Sequence, residues 1–414
     1  MEKQQLIPEL YRKEYSKMVT VLCSRLGITF IEAAEDIVSD TFLTAAETWG
    51  MKGVPENPAA WLYTVAKNKA INYLKHNRVI EKQLKSDPSH SSDQSFEMEI
   101  DLSPQNITDS QLQMMFAICH PLIPPEAQVS LALRILCGFT IDEIASALLT
   151  NKGTINKRLF RAKEKLRTGN VKISFPESTA IDARLQTVLI TLYLLFNEGY
   201  YSASPDKVLR KDFCLEAMRL ALLLAEHPQT RKPGVHALLS LMCFQASRFD
   251  ARITQSGDLV LYEKQDSSLW DTDLINRGNY FFVKASATGE ISRYHVEAAI
   301  AWWHTHQADT REKWENILRL YNQLLIIEYS PMAALNRAYA FSRVYGKEKA
   351  IVEAESLQLS GNLFYHSLLG ELFTDIDDAM AIWHLEQALT LVGTQPERAV
   401  LTARLSTLMD AMNR

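Results

Sequence analysis

The stretch from Glu126 to Arg167, EAQVSLALRILCGFTIDEIASALLTNKGTINKRLFRAKEKLR, constrains the fold of this chain more than any other. It reads as three helices closing on a helix-turn-helix. The first carries Val129, Leu131, Leu133, Ile135 and Leu136 and stops at Gly138. Thr140 and Glu143 have the spacing of a capping box, each side chain satisfying a backbone N–H that the start of a helix leaves open. The second helix then sets Ile141, Ile144, Ala145, Leu148 and Leu149 on one face. Thr150-Asn151-Lys152-Gly153 turns the chain, and Ile155, Leu159, Ala162 and Leu166 recur at the spacing of a buried stripe. Opposite that stripe lie Asn156, Lys157, Phe160, Arg161 and Glu164, flanked by Arg158 and Lys165. A short helix held by its apolar side, with amide, guanidinium and ammonium groups outward, suits the major groove of DNA. The same pattern also fits a three-helix packing unit with a solvated basic side.

A length of 414 residues predicts two or three domains, and an apolar share of 47% can fill their cores. The net charge of −5 hides an asymmetry. Through Phe175 there are 21 basic against 20 acidic residues, and after it 23 against 29. The acidic second part is not expected to track a phosphate backbone by itself. Cys23, Cys119, Cys137, Cys214 and Cys243 form no CxxC pair and sit mostly among apolar neighbours, which predicts reduced, buried thiols in the cytoplasm. No signal-peptide core opens the chain, and the apolar run near Val188 to Phe196 is too short to span a bilayer, so no membrane partner is expected.

Ahead of the helix-turn-helix, residues 8–48 read as two helices, the second with Glu32, Asp36, Asp40 and Glu47 along an acidic outer side. Pro55-Glu56-Asn57-Pro58 punctuates the chain, with Pro58 placed to open a helix. That helix packs Leu62, Ala66, Ala70 and Tyr73, and gathers Lys67, Asn68, Lys75 and Arg78 on the other side with Trp61 and Asn72 at the margin. Interleaved cations, amides and an aromatic ring serve a melted-duplex surface, where cations hold phosphates and flat rings stack on splayed bases. From about Ser86 to Asp109 the composition turns to Ser, Asp, Glu, Gln and Pro, the signature of an acidic flexible linker.

AEDIVSDTF at Ala34 to Phe42, NPAAWLYTVAKNKAINYLKHNR at Asn57 to Arg78, and GFTIDEIASALLTNKGTINKRLFRAKEKLR together resemble the sigma-70 family of bacterial transcription factors, in its extracytoplasmic-function group. Three motifs in family order cover roughly the first 170 residues. The resemblance implies that Glu35, Asp36, Asp40 and Phe42 bind core RNA polymerase. It implies that Trp61, Lys67, Asn68, Asn72, Lys75 and Arg78 read and melt the minus-ten promoter segment. Thr154, Asn156, Lys157, Arg158, Arg161 and Lys165 would then read the minus-35 element. Thr150-Asn151-Lys152 stands where a Gly-Ile-Ser-like turn is commoner, so the family's base preference is not carried over.

Beyond residue 177, LYLLFNEGYYSAS at Leu192 to Ser204 and LVLYEKQDSSLWD at Leu259 to Asp271 resemble the sub-group with a long, helical, tetratricopeptide-like extension. The residues agree with helices joined by short turns: Ala334, Ala338 and Ala340 let neighbours approach, and Pro331 marks a repeat boundary. Gly257-Asp258 and the residues after them read as a short non-helical excursion. Arg293, His295, Glu297, His304, His306 and Asp309 gather around Trp302-Trp303, without the i, i+4 pairing of a helical zinc site, so no metal is expected. Asn197-Glu198-Gly199-Tyr200-Tyr201 reads as a helix stop at Gly199 with tyrosines sealing a junction, while Gln265-Asp266-Ser268-Trp270-Asp271 fits either a ligand site or a capped helix start with a buried Trp. No phosphate loop and no nucleophile–base pair points to an enzyme, and no cofactor is expected.

The expected architecture is all-α: residues 1–82 for polymerase and minus-ten binding, 83–109 as linker, 110–172 as helix-turn-helix module, and 177–414 as helical-repeat-like extension. The expected partners are core RNA polymerase, promoter DNA, and a protein or small-molecule regulator of the extension. Two other readings fit parts of the chain. A conventional helix-turn-helix regulator with a helical sensor domain needs only one DNA module, and an interaction scaffold needs none.

Overall fold

The computed structural model describes residues 3–84, 101, 103–148, 150–201, 210–254, 260, 262–289 and 291–412, without the side chains of 3–5, 77–84, 288, 396 and 412. The described residues are helical, with no strand among them, as the periodicities predict. They form two compact units, residues 1–146 with 150–194 and residues 147–149 with 195–414. Among the described residues no helix is long and apolar enough to cross a membrane.

In the first unit, α1 (Lys3–Leu26), α2 (Ile31–Lys52) and α3 (Pro58–Leu84) make one three-helix layer. α4 (Pro104–Ile118), α5 (Pro125–Leu131), α6 (Ile141–Ala147) and α7 (Lys152–Thr168) follow. The stretch read as linker is shorter than expected at its C-terminal end, because Ser103 caps α4 by accepting from Asn106 N and Pro104 occupies the first turn. Residues 85–100 and 102 of that stretch lie outside the described residues. The two groups of helices pack on each other. α1 lies along α4, where Ser110 Oγ donates to Ser24 Oγ at 3.2 Å. After α5 the helix widens into a π turn, Ala132–Leu136, and ends at Gly138 with φ +74°. Glycine alone enters that region without strain. The first stretch of α8 (Ile181–Tyr200) closes this core: Thr191 Oγ1 donates to the buried Gln128 Oε1 at 2.7 Å.

The boundary between the units falls within α8. In the second unit α8 does not stop at Gly199. It ends one residue later, at Tyr200, and a side chain at 199 would stand 2.8 Å from both Arg210 O and Cys214 Sγ at the start of α9 (Lys211–Glu226). Glycine serves there for close approach, and Tyr200 is fully buried against Phe196 and Phe249. Residues 202–204 of the tyrosine motif, and 255–259 and 261 of the excursion, lie outside the described residues. At the described edge of that excursion Val260 N donates to Arg252 O at 2.8 Å.

α10 (Pro233–Ala246), α11 (Thr272–Ala285) and α12 (Arg293–Trp303) lead into an array of α13 (Arg311–Ile327), α14 (Pro331–Tyr345), α15 (Lys347–Glu355), α16 (Leu363–Phe373), α17 (Asp378–Leu391) and α18 (Gln395–Met412). Thr310, Ser330, Asn362 and Asp377 each cap the helix they precede, and Pro331 opens α14. The core is a chain of small clusters. Trp314, Ile317 and Leu318 pack with Ala340, then Leu335 and Ala338 with Ala350, Tyr365 and Leu369, then Leu385 and Ala388 with Leu401. Each helix buries its stripe against the next, the logic of stacked helical pairs.

Candidate nucleic-acid and polymerase interface

Helix α7 begins earlier than the sequence suggests. Asn151 is its N-cap, accepting from Thr154 N at 2.8 Å, so Lys152 and Gly153 belong to the first turn instead of the connecting loop. The capping box before α6 forms as expected: Thr140 N donates to Glu143 Oε2 at 2.8 Å, and Glu143 N to Thr140 Oγ1 at 3.2 Å. Lys152 closes the turn onto Asp142 at 2.6 Å. Ile155, Leu159, Ala162 and Leu166 are buried, which turns Thr154, Asn156, Lys157, Phe160, Arg161 and Lys165 to the surface. Arg158 is half-buried and donates to Ser130 Oγ at 3.3 Å, so it ties α7 to α5.

On α3 the expected face is only partly open. Asn57 caps the helix through Ala60 N at 3.0 Å, while Leu62, Ala66 and Ala70 are buried. Asn68, Asn72 and Lys75 form an exposed strip at i, i+4 and i+7. Lys67 is half-buried, as is Trp61, whose ring meets Trp49 edge-on at 5.4 Å. The side chain of Arg78 lies outside the described residues. Lys69, absent from the expected set, ion-pairs with Asp40 and donates to Thr44 Oγ1 at 2.9 Å.

The largest departure concerns α2. Asp36 and Asp40 are exposed, but Phe42 is 5% exposed and packs against the Tyr11 ring, a core position. Glu35 is 7% exposed. Its Oε1 accepts from Arg134 Nε and its Oε2 from Lys163 Nζ, both at 2.6 Å. Arg134 spends its other nitrogens on Phe139 O at 3.2 Å and Tyr15 Oη at 3.1 Å. Burial disfavours the charged Arg134 guanidinium, but the Glu35 carboxylate with Tyr15 and Tyr11 outweighs it and its pKa rises. Tyr15 is driven up by burial and then by Glu35, and remains a neutral phenol. The reason is visible in the spacing. Glu35 shares the buried face of Ile31, Ala34, Val38 and Phe42, so it needs an interior cation, and Arg134 interrupts an apolar run for that purpose. Beside this clasp a groove of ≈ 350 Å³ is lined by Glu32, Asp36 and Ser39 on one wall and Asn156, Phe160 and Lys163 on the other.

Of the clustered histidines, His304 is held by ring contacts with Tyr262 and Trp314 and its Nδ1 has no hydrogen-bond partner. His295 completes a capping box with Ser292 and reaches Ala285 O, and His306 lies 4.2 Å from the Trp302 ring. Among the described residues no three His, Cys, Asp or Glu side chains are placed to hold a metal ion. The motif Asp266 to Asp271 is a double cap, on Ser268 N and Leu274 N.

Comparison with known families matches residues 10–79 to sigma-70 region 2 and residues 119–166 to sigma-70, region 4. The chain belongs to the sigma-70 family, as an ECF-like sigma factor. Residues 184–286 match a family of unknown function, DUF6596. An uncharacterized protein of Rhizobium meliloti is 31% identical over 91% of this chain and 90% of its own length. The ECF RNA polymerase sigma-E factor of Haemophilus influenzae is 25% identical over 38% of this chain and 82% of its own length. That of Salmonella typhimurium is 26% identical over 31% and 69% respectively. No solved structure matches the chain. A sigma factor is not itself an enzyme, and its family partners are core RNA polymerase and promoter DNA.

Proposed function

We propose that this sigma factor directs core RNA polymerase, in the cytoplasm, to particular promoters and assists strand opening. The observation that carries this is the α7 surface: Thr154, Asn156, Lys157, Arg161 and Lys165 stand exposed on a helix whose opposite stripe is buried. They would sit on the minus-35 element, with Arg158 holding the helix at its seat. Asn68, Asn72 and Lys75 of α3 would meet the minus-ten segment, with Lys67, Trp61 and Arg78 at its edge. Asp36 and Asp40 of α2 would face the polymerase. The functional boundaries are those of the sequence reading, with the linker ending before Pro104. Mixing the full chain with core polymerase and mapping transcript starts tests this reading. New promoter-specific starts support it, and none on any genomic template sinks it.

The same proposal makes residues after 177 a tetratricopeptide-like platform for a protein or small-molecule regulator. Its support is the array itself. Helix pairs begin at Arg311, Lys347 and Asp378, intervals that straddle the ~34-residue tetratricopeptide period. Truncation after Phe175 followed by transcription assays gives the sign of the regulation, and identical output with and without the extension rejects it.

A further inference from the structure

We propose that the second unit binds a small organic anion, carrying a phosphoryl or carboxylate group, on the paired guanidiniums of Arg248 and Arg252. The proposal deepens the regulator-platform reading and rests on it only for what binding serves.

The site begins in the turns that follow α10. Arg252 N donates to Arg248 O at 3.1 Å, so the two side chains leave the backbone one turn apart. Both settle on the buried Tyr200. The Arg252 guanidinium lies over its ring, 3.9 Å from the centroid, and Arg248 donates to its hydroxyl at 3.4 Å. Tyr201 stands exposed beside them, its ring centre 5.5 Å from the Arg252 guanidinium. The Arg248 guanidinium also lies 5.2 Å from the Tyr262 ring centre, and the Tyr262 hydroxyl accepts from Lys313 Nζ at 3.0 Å.

Three cations therefore gather around two phenols, and among the described residues none of the three has an ion-pair partner. The other buried or half-buried arginines described in the second unit each meet a carboxylate, as Arg210 meets Asp212 and Arg337 meets Glu353. Arg248 and Arg252 are half-buried and meet none. Asp250, between them in sequence, pairs with Lys211. Glu297 and Asp309, whose charges act on Tyr201 and Lys313, are held by Arg293 and Arg343. The Nε of each arginine is buried without an acceptor, and the bond from Arg252 to Tyr200 O is as long as 3.5 Å. Lys313 is 2% exposed and donates only to neutral oxygens, Tyr262 Oη and His306 O. Such a cluster of like charges, partly withdrawn from water, is costly until an anion joins it. Stacked on its face, a guanidinium keeps its in-plane N–H groups for an acceptor, and that fork matches the oxygens of a phosphate or carboxylate. The open ring of Tyr201 suits the body of the ligand.

Hydrogen exchange of the full chain tests this with inorganic phosphate and with citrate, each against chloride at equal ionic strength. Exchange should slow over the turns at 247–252. The anion concentration giving half of that protection should rise about tenfold or more in Arg248→Gln and in Arg252→Gln. It should not move in Arg319→Gln, which removes an exposed cation of α13. Protection by phosphate alone assigns a phosphoryl ligand, by citrate alone a carboxylate ligand, and by both a general oxyanion site. No protection at these turns from either anion, or protection undiminished in the variants, overturns the site. Anions held on α7 slow exchange elsewhere and do not count for it. Should Arg252→Gln fail to fold, Arg248→Gln decides by the same readout. Failure of the platform reading looks different: the anion protects these turns, yet truncation after Phe175 leaves transcription unchanged.

Discussion

The two units use charge in opposite ways. In the first, Glu35 reaches Arg134 and Lys163 across 99 and 128 residues of chain, and one carboxylate joins helices from separate modules. Among helices α12 to α17 of the second, polar ties such as Arg337 to Glu353, Arg293 to Glu328 and His366 to His384 join near neighbours in the chain. The first concentrates its long-range charge in one cluster, set in modules that also pack α1 along α4. The second is additive, since each pair rests on adjacent pairs and loses stability piece by piece.

The largest way to break this comparison is in the array. Leu369 is fully buried among Leu335, Ala350, Tyr365 and Leu372. Leu369→Ala should cost the second unit about 2–5 kcal/mol through lost burial and a residual cavity. Urea denaturation followed by hydrogen exchange should show the array's transition moving to lower denaturant while that of the first unit stays in place. An equal shift in both would mean that the two units do not behave independently.

A smaller effect comes with pH. His366 Nε2 faces Ser360 O at 2.9 Å and His366 Nδ1 faces His384 Nδ1 at 3.0 Å, which is satisfied when His366 carries its proton on Nε2 and His384 donates from Nδ1. Burial, and then the His366 ring, push His384 down to about 4 from 6.5. A depressed histidine stabilises the fold in its neutral form. That contribution is complete above pH 6.5 and is lost as pH falls towards 4, at up to about 1.4 kcal/mol per pH unit. Thermal melts of the second unit should decline across that window, and His384→Gln should flatten the decline. A slope unchanged by His384→Gln would place the titration elsewhere.

The smallest effect tests the start of α7. Asn151→Ala should cost about 1 kcal/mol, since Thr154 N loses its acceptor. Hydrogen exchange should speed up over the first turn of α7 only. Faster exchange across the whole first unit would show that this cap also supports the packing of that unit.

Much of this was legible from residue order. The stripe Ile155, Leu159, Ala162 and Leu166, the Thr140–Glu143 box and the alanines of α14 follow from local spacing and local caps, and they stand as expected. What the sequence hid has a common physical character. Glu35 and Phe42 enter the polymerase-binding set through the family resemblance, whereas the structure puts both on the buried face with Ile31, Ala34 and Val38. A lone acid in one apolar stripe and a lone Arg134 in another are each ambiguous, and only folding shows that they are partners. The same holds for Gly199, which reads as a helix stop until the chain from Arg210 is seen to press against it.

The π turn at Ala132–Leu136 makes chain length itself a piece of information. A helix turns by about 100° per residue, and a π turn stores one residue more than the α ladder needs. Deleting a single residue there would leave the hydrogen bonds intact and even improve them. Everything downstream would keep its facing, because the π turn absorbs the extra residue, but Arg134 inside the turn would shift by about 100° and no longer point at Glu35. Chains of this kind that differ by one residue at that place would keep the helix-turn-helix and lose the aim of the guanidinium, so an alignment gap there would be a statement about the clasp.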